Sequence, residues 1–365
     1  MKNFYLKGFF FFLGLIFNLL SFIFNLYFIS LQKILHNMEK IIGIGNALVD
    51  ILVRLEDDVL LERVSLPKGG MTLIDEARQK ELRTCMAELP MEQATGGSAG
   101  NSMLALARLG GNAGFVGKVG RDALGKFYAD NCKKVGIEAR LLECNLATGV
   151  ANTFISPDGE RTFGTCLGAA ATMQASDITP QLFEGVSMAH IEGYLVQNHD
   201  LMEAICQMAM EQSVQLSLDL ASYNVVAADL PFFQHLVQDY IDIVFANEEE
   251  AAAFTGKKDP LEALREIAAY KCLAVVKLGG KGASARLGRE EVVVPARKVP
   301  VVDTTAAGDF FAGGFLYALN RGASLKDCLS CGALLSEHII GVVGTRLSDE
   351  TWKQIRVLCS KFNVQ

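Results

Sequence analysis

Two aspartates six residues apart, Asp303 and Asp309, enclose the small and hydroxyl residues Thr304-Thr305-Ala306-Ala307-Gly308. A short turn of such residues leading into a helix leaves backbone N–H groups unpaired and pointing outward. Together with the helix dipole these groups make an anion site. A carboxylate at its end, Asp309, suits a general base beside a bound phosphate. The dipole is expected to lower its pKa, so that at neutral pH it is ionised and ready to accept a proton. An Asp that merely caps a strand-to-helix turn has the same spacing, and the residue types alone leave both readings open. Two elements must hold this turn. The apolar Val299, Val301 and Val302 predict a buried strand before it. After Asp309 a helix is expected, in which Ala312, Gly313 and Gly314 allow close packing.

Other chemistry-bearing residues also sit at element ends. Asp50 lies in a strand-like run, residues 41–55, broken by Gly43, Gly45 and Asn46. A carboxylate near such a turn is either solvated or accepts bonds from two neighbouring hydroxyls. Thr95-Gly96-Gly97-Ser98-Ala99-Gly100-Asn101 precedes a helix over 102–109, and a flexible loop with a cap also accounts for it. Asn247-Glu248-Glu249-Glu250 follows an apolar strand and begins a helix. Acidic capping explains the cluster, while Mg²⁺, which keeps several waters, needs only one such carboxylate. Cys328 and Cys331 form C-x-x-C without a second pair or a nearby His, inside an Ala/Leu-rich helical pattern, and read as buried helix cysteines. The chain has no G-x-x-x-x-G-K-[ST] and no G-x-G-x-x-G after its first strand, which excludes a P-loop enzyme and argues against a Rossmann dehydrogenase.

From residue 186 onward strands and helices alternate. Strands are predicted at 186–192, 215–220, 243–246, 274–278 and 291–295, and helices at 200–212, 231–238, 248–255 and 260–270. Such units form a parallel sheet covered on both faces. Right-handed crossovers then bring the strand C-termini, and any ligand, to one edge. Residues 148–168 read as two strands around the turn Pro157-Asp158-Gly159. With runs at 51–56 and 68–74 they predict a small sheet over the site, which would exclude water from a transfer reaction.

The 365 residues, half of them hydrophobic, suffice for one large α/β domain or two smaller ones. A formal charge of −7 without a Lys/Arg cluster argues against a nucleic-acid partner. Nine scattered cysteines suit a reducing cytoplasm. Residues 9–31 form an apolar run long enough to span a bilayer, with no small-residue cleavage site after it. The expected division is an N-terminal extension, 1–37, read as an over-extended start ahead of a true start at Met38 in preference to a membrane anchor, and a folded domain, 38–365, that begins like a cytosolic enzyme. A membrane partner enters only if residues 9–31 are a genuine anchor.

In chain order, Gly43-x-Gly-Asn46-x-x-x-Asp50, Gly96-Gly97-x-x-x-Asn101, Asn247-x-x-Glu250 and Asp303-Thr-Thr-Ala-Ala-Gly-Asp309 resemble the motifs of PfkB/ribokinase-like carbohydrate and nucleoside kinases. The look is closest to adenosine-kinase-type members. The resemblance implies a ribokinase-like α/β fold: a mostly parallel central sheet, helices on both faces, and a small β-sheet lid that also serves some relatives as a dimer interface. It implies ATP, Mg²⁺ and K⁺, and transfer of the γ-phosphoryl group to a primary hydroxyl of a nucleoside or sugar. Asp309 would be the base, with Ala306, Ala307 and Gly308 as anion hole. Asp50, Asn46, Gly96, Gly97 and Asn101 would bind the acceptor; Asn247, Lys277, Gly279, Gly282 and Thr304 the nucleotide. Glu250 would orient Mg²⁺-bound water, and Asp303 would hold the monovalent cation. Asp219 stands where relatives carry a D-x-N type motif. Many members have Thr or Ser at Lys277 and Gly at Ala306, where N–H donation survives a methyl if φ stays negative. Phe154 or Phe163 would either stack on a purine or pack the lid. The alternatives are a fructokinase-like or other sugar kinase, and a non-catalytic sensor on the same fold.

Overall fold

The computed structural model describes residues 39–158 and 160–362. The apolar run at 9–31 and the start at Met38 lie outside the described residues. Successive residues of the inner strands point to opposite faces, and here both faces are apolar. Ile41, Phe245 and Val275 join one buried cluster, while Ile42, Val244 and Val276 join another. A strand apolar on both sides is stable only when helices cover both.

The result is a nine-stranded sheet. Its parallel part contains β1 (Lys40–Ile44), β5 (Ala113–Gly120), β6 (Ile137–Cys144), β9 (Val186–Glu192), β10 (Gln215–Asp219), β11 (Ile243–Asn247) and β12 (Leu273–Lys277). An antiparallel edge adds β13 (Ala283–Leu287) and β14 (Glu290–Val294). The order is β14-β13-β12-β11-β10-β9-β1-β5-β6. The expected doubly covered sheet is therefore present, with the C-terminal ends of β9 to β12 along one edge.

A second sheet has the order β3-β8-β7-β2-β4. It contains β2 (Leu48–Arg54), β3 (Met71–Leu73), β4 (Met91–Gly96), β7 (Gly149–Ile155) and β8 (Arg161–Cys166). The chain passes from β1 to β2 through Gly45-Asn46-Ala47, so the first motif lies where the two sheets meet. β4, rich in polar residues, was not anticipated by alternation; it pairs antiparallel with β2 and sets Ala94 opposite Asp50.

The helix Ala307–Asn320 packs as its small residues suggest. A Cβ on Gly313 would strike the Ser102 carbonyl of the Ser98–Leu109 helix. One on Gly314 would lie 2.9 Å from the Cys331 carbonyl of the Leu325–Ile339 helix. Cys328 and Cys331 are buried in that last helix. The strand expected at 299–302 is absent. Val301 is 62% exposed and Val302 51%. Pro300 has no N–H to give a ladder, and the segment is tied down only by Val302 and Asp303 N–H donating to the Ile340 carbonyl, at 2.7 and 3.1 Å. Among the described residues no helix is long and apolar enough to cross a membrane.

Candidate active site

The close crossing of two helices brings two motifs together. Asp309 sits in the first turn of Ala307–Asn320, and the Ser98–Leu109 helix begins beside it. Asp309 Oδ1 accepts from Ser98 Oγ at 2.8 Å, and Oδ2 from Asn101 Nδ2 at 2.9 Å. The carboxylate is thereby held in one orientation. Its pKa is raised to about 6, not lowered as expected. Burial dominates, the hydrogen bonds from Asn101 and Ser98 oppose it, Asp219 adds to the rise and Lys277 subtracts. The helix end is too modest a charge to outweigh desolvation of a carboxylate.

The preceding turn departs from expectation at Ala306, which adopts φ 60°, ψ 8°. The condition of negative φ is not met, and alanine occupies a left-handed position that glycine takes without strain. Ala307 N–H donates to the Thr304 carbonyl at 3.2 Å. The N–H groups of Ala306 and Gly308 have no protein acceptor among the described residues. Two of the three expected anion-hole donors are therefore open, and the third closes the turn.

Asp303 is fully engaged. Oδ1 accepts from Thr305 N–H at 3.0 Å and Oδ2 from Gly344 N–H at 2.8 Å. Arg161 of β8 places Nη2 2.9 Å from Oδ2, with both side chains under a tenth exposed, and its Nη1 donates to Thr305 Oγ1 at 3.3 Å. The Asp303–Arg161 contact is an ion pair by distance, but Nη2 lacks the alignment of a hydrogen bond. A carboxylate already facing a guanidinium and two N–H donors does not fit a K⁺ ion, which needs oxygen ligands free of a competing cation. Arg161 was missed by sequence reasoning, because one arginine beside a hairpin turn carries no distinguishing signal.

Two cavities meet at Ser98 and Tyr194, which line both. The larger, about 780 Å³, takes Asn46 and Gly97 of the expected acceptor set, together with Leu48, Met71, Leu73, Leu167 and Met173. The smaller, about 540 Å³, takes Asp219, Asn247, Glu250, Lys277, Gly279, Gly308 and Asp309. Asp50 lies against Gly96, where any Cβ would overlap its carboxylate. Burial raises its pKa to about 7 against the pull of Arg161, with Asp309 adding to the rise.

Glu192, at the end of β9, is a second residue the sequence did not reveal. It accepts from the backbone N–H of Asn46 at 2.9 Å, from the Asn46 side-chain amide, and from Ala99 N–H at 3.3 Å. It fixes the junction of the first two motifs from beneath, and burial pushes its own pKa to about 7.

Glu250 folds back as a capping box. Its oxygens accept from Asn247 N–H and Asn247 Nδ2, each at 2.7 Å, while Asn247 Oδ1 accepts from Glu250 N–H at 2.8 Å. The capping account is correct as geometry. Each oxygen still has a second acceptor position, and burial raises the pKa to about 7. No group of three or more His, Cys, Asp or Glu able to chelate a metal occurs among the described residues. The Glu250 carboxylate, with Asn247 beside it, is a single oxygen donor of the kind Mg²⁺ takes while keeping several of its waters.

Of the expected contacts, Asp50, Gly96, Asn101, Ala306 and Ala307 lie behind the lining of both cavities, and four further residues are placed away from it. Gly282 turns against the Val294 carbonyl at the start of the edge hairpin, where no Cβ fits. Thr304 is exposed and lines neither cavity. Phe154 is fully buried inside the second sheet, and Phe163 lies in β8 away from the cavity lining. On the side of the second sheet the wall is apolar but not aromatic, since Leu48, Met71, Leu73, Leu167 and Met173 line it, while the rings that reach the cavity are those of Tyr194 and His199 on the other side.

The family described as pfkB family carbohydrate kinase matches residues 67–352. Among solved structures, a probable sugar kinase from Rhizobium etli is 33% identical, with TM-score 0.78 over 87% of this chain and 98% of that one. Adenosine kinase from Sinorhizobium meliloti is also 33% identical, with TM-score 0.77 over 87% and 99%. Adenosine kinase from Schizophyllum commune is 28% identical over 87% of this chain and 99% of its own. Motifs, fold and relatives agree that the chain belongs to the pfkB family of carbohydrate kinases and is an ATP-dependent phosphotransferase with an alcohol group as acceptor.

Proposed function

We propose that this kinase phosphorylates the primary hydroxyl of a purine nucleoside, adenosine being the first candidate. The observation that carries this is the cavity of about 780 Å³ beside Asn46 and Gly97, in which an apolar wall of Leu48, Met71, Leu73, Leu167 and Met173 faces polar residues that include Tyr194, Asn198 and Asn224. It lies in the size range, roughly 300–1,000 Å³, that encloses drug-sized ligands. A bare pentose would leave Leu48, Met71, Leu73, Leu167 and Met173 facing water, whereas an aromatic base would cover them. The adenosine kinases among the relatives support the same reading.

In this reading the ribose hydroxyls bind Asp50, with Asn46 and Gly97 completing the contact. Asp309, oriented by Ser98 and Asn101, takes the proton of the attacking hydroxyl. A bond forms from that oxygen to the γ-phosphorus, the bond to the β,γ-bridging oxygen breaks, and ADP leaves with the electron pair. The open N–H groups of Ala306 and Gly308 stabilise charge on the transferring group. Glu250 and Asn247 would hold Mg²⁺ through water; when bound, the ion neutralises phosphate charge. The second sheet acts as a lid that excludes water. A cytoplasmic location would supply the ATP that the reaction needs.

The test is an ADP-release screen over nucleosides and sugars. Adenosine should exceed ribose and fructose in kcat/KM by about 100-fold, the discrimination expected from roughly 3 kcal/mol of base burial. Equal or better turnover of a free sugar would make this a sugar kinase, the reading favoured by the Rhizobium relative. No ADP release with any acceptor would leave a sensor.

A further inference from the structure

The nucleotide-side cavity has an unbalanced charge. Asp219, Glu248, Glu249, Glu250 and Asp309 line it, and Lys277 is the only basic residue among those that do. A polyphosphate entering five carboxylates and one ammonium meets strong repulsion unless that ammonium reaches it. Lys277 is placed to do so. It is the last residue of β12, paired in register with Asn247 at the end of β11. Its side chain is 16% exposed, and Nζ donates to Asp219 Oδ2 at 2.8 Å.

Nζ also lies against the turn that carries the open N–H groups. A Cβ built on Gly308 would sit 3.1 Å from it. The ammonium and the Gly308 N–H thus border one space, beside Asp309. Burial alone would favour discharge of the lysine, but Asp219 and then Glu250, with Asp309 adding, more than offset this and its pKa is raised. It is a cation at the pH of catalysis.

We propose that Lys277 is a catalytic residue: its ammonium group turns from Asp219 to a γ-phosphoryl oxygen of ATP and stays on that group as it passes to the acceptor. Asp219 is then a positioning residue, holding the side chain aimed at Gly308 until nucleotide arrives. The step is the transfer already described, with Lys277 adding only a charge-assisted hydrogen bond and no bond made or broken at nitrogen. This rests on the kinase chemistry of the site but not on which acceptor is used.

A buried ion pair can also be merely structural, and the experiment separates the two. Neutralising both partners of such a pair often restores stability. Lys277→Met, Asp219→Asn and the double variant are compared with the wild type by thermal melting, by steady-state turnover with the best acceptor, and by calorimetric binding of ADP and of the non-hydrolysable β,γ-imido analogue of ATP. Lys277→Met should lose turnover by about 100-fold, the scale of removing one transition-state donor. The double variant should melt like the wild type and remain as slow as Lys277→Met. The imido analogue should lose about tenfold more affinity than ADP in both. Recovery of turnover in the double variant, or equal weakening of ADP and the analogue, would overturn the proposal. If no acceptor is turned over by the wild type, the nucleoside reading fails while the two binding titrations still judge Lys277.

Discussion

Arg161, from the second sheet, sets its guanidinium nitrogen 2.9 Å from the buried carboxylate of Asp303, at the base of the turn that leads into the Ala307–Asn320 helix. Arg161 belongs to the small sheet and Asp303 to the turn before the Ala307–Asn320 helix, so the pair fastens that sheet to the turn. It also supplies a fixed positive charge where the family resemblance implied K⁺.

Turnover should therefore be the same in K⁺ and in tetramethylammonium salts. Arg161→Met should destabilise the fold by about 3 kcal/mol, because it strands a buried carboxylate. K⁺, but not tetramethylammonium, should recover part of the lost activity. Initial rates in paired salts decide this, and a wild type that requires K⁺ would contradict it.

The acid limb of kcat/KM should be high for carboxylates. Asp50 has its pKa raised to about 7 and Asp309 to about 6. In the proposed reaction both are ionised, Asp50 to bind the diol and Asp309 to take the proton, so activity present above pH 7 should be lost as pH falls through these values. The limb should show two protons. In Asp309→Asn the residual rate, lower by roughly three orders of magnitude, should keep only the limb near 7. A single limb near pH 4 in the wild type would refute the burial argument.

Ala306→Gly should raise stability by about 0.5–1 kcal/mol. Relief of the left-handed alanine outweighs the extra freedom glycine gives the unfolded chain. Urea unfolding midpoints with an unchanged slope would show it; an equal or lower midpoint would mean the turn is not strained.

Most of the architecture was legible because its signals are local. The alternation after residue 186 fixes β9 to β12 and their helices almost residue for residue, and Pro157-Asp158 marks the hairpin between β7 and β8. What failed was decided by distant partners. Val299, Val301 and Val302 look like a strand, yet no neighbour offers them a ladder and Pro300 removes a donor. β4 looks like a loop but finds an edge on β2. The site divided the same way. Asn101 and Asp309, both singled out by their motifs, meet through the crossing of two helices, whereas Glu192 and Arg161 act through contacts that join positions 93 and 142 residues apart. The raised pKa of Asp309 follows from burial, which a spacing rule does not contain.

The lid face of the acceptor cavity makes a separate prediction. Met71 and Leu73 of β3 are each 54% exposed and line the cavity, so a bound base would cover them. Met71→Ser should raise the nucleoside KM by about tenfold, equivalent to roughly 1.4 kcal/mol of lost burial, and leave the much weaker KM for ribose unchanged. A parallel rise for both acceptors would show that Met71 does not touch the base.

The position of the transferred phosphate tests the account most directly. Phosphorus NMR of the product from adenosine and ATP should show a single monophosphate whose phosphorus couples to the two 5′ protons, with one ADP formed per product. Phosphate on a 2′ or 3′ oxygen, or ADP formed with inorganic phosphate and unaltered nucleoside, would contradict the placement of Asp309 beside the primary hydroxyl.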